Sequence, residues 1–181
     1  MIDLVSKALV DHLLSRTSDL GASWVELTSL ESGGNVTANK LHVCLYAIEE
    51  HDHLRNAPLV ESPNGWVRPP LALRLRYVMT YASNQHVEVQ ARLARVLQVF
   101  HTTPVLGADS LPSDLAALVK RVTIRLESPS DEERNQVWTA FGRGMRLALF
   151  YLVDVALVPP SQVEGAGTVR EHRIDYAVVT S

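Results

Sequence analysis

The chain has 181 residues, 46% of them apolar and 20% charged, and carries a formal charge of −3. That is the size and balance of one soluble domain, able to bury roughly 70% of the surface its unfolded chain exposes. It lacks the concentrated basic excess that phosphate binding demands, so nucleic acid is not the expected partner. The single cysteine, Cys44, rules out an intrachain disulfide and a multi-cysteine zinc site; set among Leu41, Val43 and Leu45, it reads as a buried, inert thiol. Asp3 and a short apolar run do not make a signal peptide, and no stretch approaches the roughly 20 apolar residues of a membrane-spanning helix. The expected location is the cytoplasm, which makes Asn35-Val36-Thr37 a chance match to a glycosylation acceptor.

In chain order, Ile2, Val5, Leu9 and Leu13 recur at helical spacing and predict an amphipathic opening helix to Leu14. Trp24 to Thr28 alternates as a short strand, and Glu31-Ser32-Gly33-Gly34-Asn35 is turn chemistry. Leu41 to Ile48 is apolar at nearly every position, the pattern of a central strand covered on both faces. Glu49 to Trp66 is a long connection with a Pro63-Asn64-Gly65 turn signal, and long ordered connections are often functional.

Pro69 to Tyr81 is the best-patterned stretch. Leu71, Leu73, Leu75, Tyr77, Met79 and Tyr81 recur with period two, which predicts a strand with that face in the core and Arg74, Arg76 and Thr80 on the other. A helix follows from Asn84 to Phe100, its core face made by Val89, Leu93, Val96, Leu97 and Phe100. Pro104 ends it, a helical turn runs from Pro112 to Leu118, and Val122, Ile124 and Leu126 predict a half-buried strand. Ser130 and Glu133 form a capping box that opens a helix carrying Val137, Trp138 and Phe141, stopped by Gly142 and Gly144. Leu147 to Val158, apolar except for Asp154, predicts a second central strand. The tail from Ser161 carries Ile174, Tyr176 and Val178, able to return as an edge strand or to extend a neighbour's sheet. The sum is a single α+β domain, a mixed, mostly antiparallel sheet of about four to six strands flanked by three or four helices. Residues 1–158 form the body and 159–181 a tail.

A catalytic or metal centre finds little support. His51-Asp52-His53 is the most metal-like group, since side chains at i and i+2 of an extended segment point the same way, but His42, Glu49 and Glu50 add no recognised ligand spacing. Gly142-Arg143-Gly144 lacks the third glycine and the preceding strand of a dinucleotide fingerprint, and no Gly-x-Ser-x-Gly occurs. Glu49-Glu50 and Asp131-Glu132-Glu133 read as a loop edge and a helix amino terminus, not acid/base pairs. No cofactor is expected. Arg74 and Arg76 project together from the face away from the core, which is either covered by a helix or solvent, or meets another subunit.

The order of an opening helix, an apolar strand ending in Leu45-Tyr46, then Leu54-Arg55-Asn56, then Pro69-Pro70-Leu71 through Ala82 resembles the cap or tail-terminator proteins of extracellular contractile injection systems. These are phage-tail-like particles. Trp138 and the late Phe150-Tyr151 strand extend the resemblance over about residues 1–158; Leu147-Ala148 departs from the Pro-Ser step usual there. The resemblance implies a phage tail-terminator-like fold and a non-enzymatic, ring-forming subunit, six to a ring. Such a subunit sits on the inner tube and contractile sheath, assembles in the cytoplasm and leaves with the released particle. Length and position outside the core pattern make the Glu49–Trp66 connection and the tail the expected ring contacts, and with the outward face of the Pro69–Tyr81 strand they give Leu54, Arg55, Asn56, Arg74, Arg76, Ile174 and Tyr176 as the candidate interface residues. A phage tail or head–tail adaptor, or a small metal-dependent hydrolase centred on His51, Asp52 and His53, are the alternative readings.

Overall fold

The computed structural model describes residues 1–34, 36–51, 58, 60–62, 65–67 and 71–157. Its elements, in order, are α1 (Ile2–Arg16), β1 (Val25–Leu27), β2 (Leu41–Glu50), β3 (Val60–Ser62), β4 (Gly65–Val67), β5 (Ala72–Tyr81), α2 (His86–Thr102), β6 (Val105–Gly107), α3 (Ser113–Ala116), β7 (Val119–Glu127), α4 (Asp131–Ala140) and β8 (Ala148–Leu157). A six-stranded sheet runs β1-β2-β5-β8-β7-β6, and β3 and β4 pair separately. Among the described residues only β1 and β2 are parallel, and the other pairings are antiparallel. The predicted mixed sheet with flanking helices is what forms.

β5 is central because both of its faces are needed. Leu75, Tyr77, Met79 and Tyr81 join Val5, Leu9 and Leu13 of α1, Val89, Leu93, Val96 and Phe100 of α2, and Tyr151, Val153 and Val155 of β8 in the main core. Phe100 meets Tyr151 edge-on at 5.0 Å, a favoured aromatic geometry. The opposite face carries a second, smaller core of Leu30, Cys44, Val78, Trp138, Phe141 and Phe150, roofed by α4. Three expectations change. Thr80, expected on the wet side, is buried under the second layer and donates to the Leu147 carbonyl at 2.9 Å. Leu71, expected in the core, precedes the strand and is exposed, and Leu126, although in phase with the buried Val122 and Ile124, is exposed as well.

β2 is buried on both faces only over Leu41–Cys44; it sits second from the sheet edge, and its outer neighbour β1 pairs with it only as far as Val43. A register shift between Leu45 and Ala47 marks a bulge there, after which the strand runs on to Glu50, two residues beyond its predicted end. The long connection also holds the β3–β4 pair, whose register closes at Ser62↔Gly65 around the predicted turn signal. The three-residue strand β6 was not legible at all. Among the described residues no helix is long and apolar enough to cross a membrane.

Both ends of α4 follow from its sequence. Ser130 Oγ accepts from the Glu133 amide at 3.2 Å while the Glu133 carboxylate accepts from the Ser130 amide at 2.7 Å, the reciprocal capping box. At the other end the Gly142 amide donates to Thr139 O and the Arg143 amide to Trp138 O, a Schellman closure that needs the positive φ of 65° at Gly142.

Candidate assembly surface

The half of the sheet that α4 leaves uncovered carries charge. Register places Glu49 opposite Arg74, Arg74 opposite Asp154, and Leu152 between Arg76 and Arg125, so these side chains share the face away from the main core. Arg76 Nε donates to Glu49 at 2.8 Å and its Nη1 to Glu127 at 2.8 Å, tying β2, β5 and β7 together across β8. Asp154, the one polar residue in an otherwise apolar strand, accepts from Arg125 at 2.6 Å and lies 3.9 Å from Arg74 Nε. Three guanidinium groups thus face three carboxylates, and the patch is electrically balanced.

Burial works against the charge on Arg76, but the Glu49 hydrogen bond and the Glu127 and Glu49 charges outweigh it and raise its pKa further. Beside it, burial pushes the Tyr46 hydroxyl above the usual phenol range. The pairs are a fifth to a half exposed, so each contributes at most about 1 kcal/mol. Each of the three carboxylates has a guanidinium partner. The arrangement makes a stiff polar patch on a sheet, suited to holding a surface in register.

Of the predicted interface residues, the structure brings Arg74 and Arg76 into this network. Leu54, Arg55, Asn56, Ile174 and Tyr176 lie outside the described residues, as do Asp52, His53 and Asn35. His51 is half-buried and lines a hollow of about 360 Å³ with Leu73, Arg121, Arg125 and Asp154, next to the charged patch. Among the described residues no group of three or more His, Cys, Asp or Glu is placed to hold a metal ion. Cys44 is buried as expected, and burial raises its thiol pKa, which keeps it protonated and unreactive. Glu133 spends its carboxylate on the cap, and Gly142-Arg143-Gly144 belongs to a helix end, not a phosphate cradle.

Two polar groups with structural roles escaped the sequence reading. His42 is fully buried, its Nε2 donating to Thr37 O at 2.9 Å, its Nδ1 3.1 Å from the Glu26 carboxylate, and that carboxylate is paired to Lys40 at 3.0 Å. Burial holds the His42 pKa below its ordinary value, outweighing the Thr37 carbonyl and the Glu26 charge. Arg143 clamps the 30–34 turn, donating to Leu30 O, Glu31 O and Gly34 O at 2.7, 3.0 and 2.8 Å. A glycine-rich turn beside an arginine is a faint signal for such a clamp, because bare backbone carbonyls need a donor.

The Pvc16 N-terminal domain model matches residues 4–171. No curated protein matches the chain significantly. In fold it is similar to the sheath/tube terminator in the extended state of PVC, an extracellular contractile injection system, with a TM-score of 0.58 and 17% identity over 99% of this chain and 65% of that one. It is also similar to the tube-terminating cap of the anti-feeding prophage, with a TM-score of 0.59 and 18% identity over 97% of this chain and 61% of that one. The chain therefore spans less than two thirds of either structure's length, and at these identities the likeness is one of fold. With a family model running from α1 past the end of β8, the chain belongs to the Pvc16 N-terminal domain family.

Proposed function

We propose that this protein is a non-enzymatic structural subunit that caps the inner tube and contractile sheath of a phage-tail-like injection particle. The observation that carries this reading is the coincidence of a family match over residues 4–171 with a fold shared by a sheath/tube terminator and a tube-terminating cap. The described residues agree with it: a rigid mixed sheet with two cores and charged groups tied up in ion pairs is a building block, not a reaction vessel.

In this reading the subunits close into a six-membered ring through heterologous contacts, one patch of each subunit meeting a different patch of the next. The body is residues 1–158 and the tail 159–181. We assign contacts to the Arg74/Arg76 face, to the connection that carries Leu54, Arg55 and Asn56, and to the tail that carries Ile174 and Tyr176. Assembly takes place in the cytoplasm and the cap leaves with the particle. The test is reconstitution: purified protein added to growing tube and sheath should arrest elongation and be found at one end of each particle. Unchanged elongation with no bound protein contradicts the reading. Removing residues 159–181 should leave a folded monomer and abolish rings, measured by mass; intact rings would refute the contact assigned to the tail.

A further inference from the structure

The end of the sheet away from the charged patch, where β5 finishes and β8 begins, carries an open groove. It is made of two adjoining hollows of about 1000 and 630 Å³ that share Ala38, Tyr81, Ser83 and Asn84. The floor of the larger is apolar, formed by Val89, Ala148 and Phe150. Its lip is the irregular stretch leading into β8, where Met145 is 67% exposed and Leu147 is 49% exposed. An apolar floor with exposed apolar side chains at its rim is the anatomy of a surface that another chain covers.

The charge left unpaired beside that floor is positive. Arg143 and Arg146 both line the groove. Arg143 spends its donors on three backbone carbonyls, which hold the guanidinium in place but leave its charge uncancelled. Arg146 is exposed, and no described carboxylate lies within ion-pair distance of either arginine. The lining acids are already engaged, Asp131 with Arg134 across one turn of α4 and Glu88 with Arg92 and the Tyr81 and Ser83 hydroxyls. This contrasts with the balanced patch at the other end of the sheet, where every arginine has a carboxylate neighbour.

We infer that this groove docks an extended acidic segment of a partner protein, an apolar side chain seated on Phe150 and Ala148 and a carboxylate held at Arg143 and Arg146. A polyanion is the poorer fit, since two arginines beside an apolar floor and an exposed methionine and leucine do not make the basic stripe that nucleic acid requires. The site needs nothing but this chain, so it stands or falls apart from the terminator reading. The partner is recognised by apolar anchoring together with negative charge, the pairing that gives a peptide groove affinity from one and orientation from the other.

The experiment uses the full chain and a labelled synthetic peptide alternating leucine with glutamate, followed by fluorescence anisotropy at low and high salt. Binding should weaken as salt rises. Arg146→Glu and Leu147→Ser, both on exposed side chains and both checked for native circular dichroism and melting temperature, should each weaken binding about tenfold or more. Peptides with lysine in place of glutamate, or serine in place of leucine, should bind about as much more weakly. Equal binding of all three peptides, equal binding by the variants, no binding at all, or stronger binding of an oligonucleotide than of the leucine–glutamate peptide would each overturn the inference.

Discussion

His42 has a carbonyl and a carboxylate within hydrogen-bonding reach, both favouring a charged ring, yet burial keeps the imidazole neutral at pH 7. In the unfolded chain it titrates near 6.5, so below that pH the unfolded state takes up a proton that the folded state resists. The stabilisation from the neutral ring is therefore full above about pH 6.5 and is lost as pH falls toward the depressed folded value. Melting temperature should drop between pH 7 and pH 5, a window above that of the carboxylates, and His42→Gln should flatten that drop. An unchanged pH slope in the variant would contradict this. Tyr77 is a second buried polar contact: Ser6 Oγ gives its proton to Ile2 O, so the Tyr77 hydroxyl, 2.7 Å away and pushed up to about 12 in pKa chiefly by burial, is the donor between them. Tyr77→Phe should cost about 1 kcal/mol in chemical denaturation, with little structural change. Neither role was legible, because a histidine in an apolar run and a tyrosine in an alternating strand look the same whether or not a distant partner satisfies them; Ser6 lies 71 positions from Tyr77.

At the scale of elements, the period-two pattern of β5 correctly predicts a strand and its main-core face. What the pattern cannot show is that a second layer covers only half of the other face, because α4 arrives from 50 residues further on. Trp138 is the centre of that layer, 1% exposed and 5.9 Å from Phe141 in an edge-to-face pair. Trp138→Ala should cost about 3–5 kcal/mol and release α4, seen as faster hydrogen exchange over residues 131–140 and at Val78. Gly142→Ala should cost about 1–2 kcal/mol, since a side chain at φ 65° is strained and its Cβ would meet Ser32 at 3.2 Å. On the uncovered half, Arg76→Ala removes the bridge between Glu49 and Glu127, but on a partly exposed surface the loss of stability should be about 1 kcal/mol or less. If that face meets a neighbour, the same substitution lowers ring yield far more than it lowers melting temperature, and proportionate losses in both would argue against the contact.

For the molecule as a whole, the two levels of reading succeeded in different places. Hydrophobic patterning marked α1, α2, β5 and β7 by periodicity and β2 and β8 by continuous apolar runs, a capping box marked α4, and the α+β class followed from their order. It missed β6, three residues long, and the β3–β4 pair, since such short strands form because a neighbour offers a ladder, not because their own residues insist. Of the candidate interface, the Arg74/Arg76 pair was legible from alternation alone, while its carboxylate partners on β2, β7 and β8 depended on register. The groove at the other end was not legible, because it is assembled from five separate stretches of chain.

If the protein sets where the tube and sheath end, as proposed, particle length reports it. Electron microscopy of particles from cells with and without the gene gives the two length distributions. The expected result is a narrow distribution with the protein and a broad one, extending to much longer tubes and sheaths, without it. Equally narrow distributions in both would contradict it.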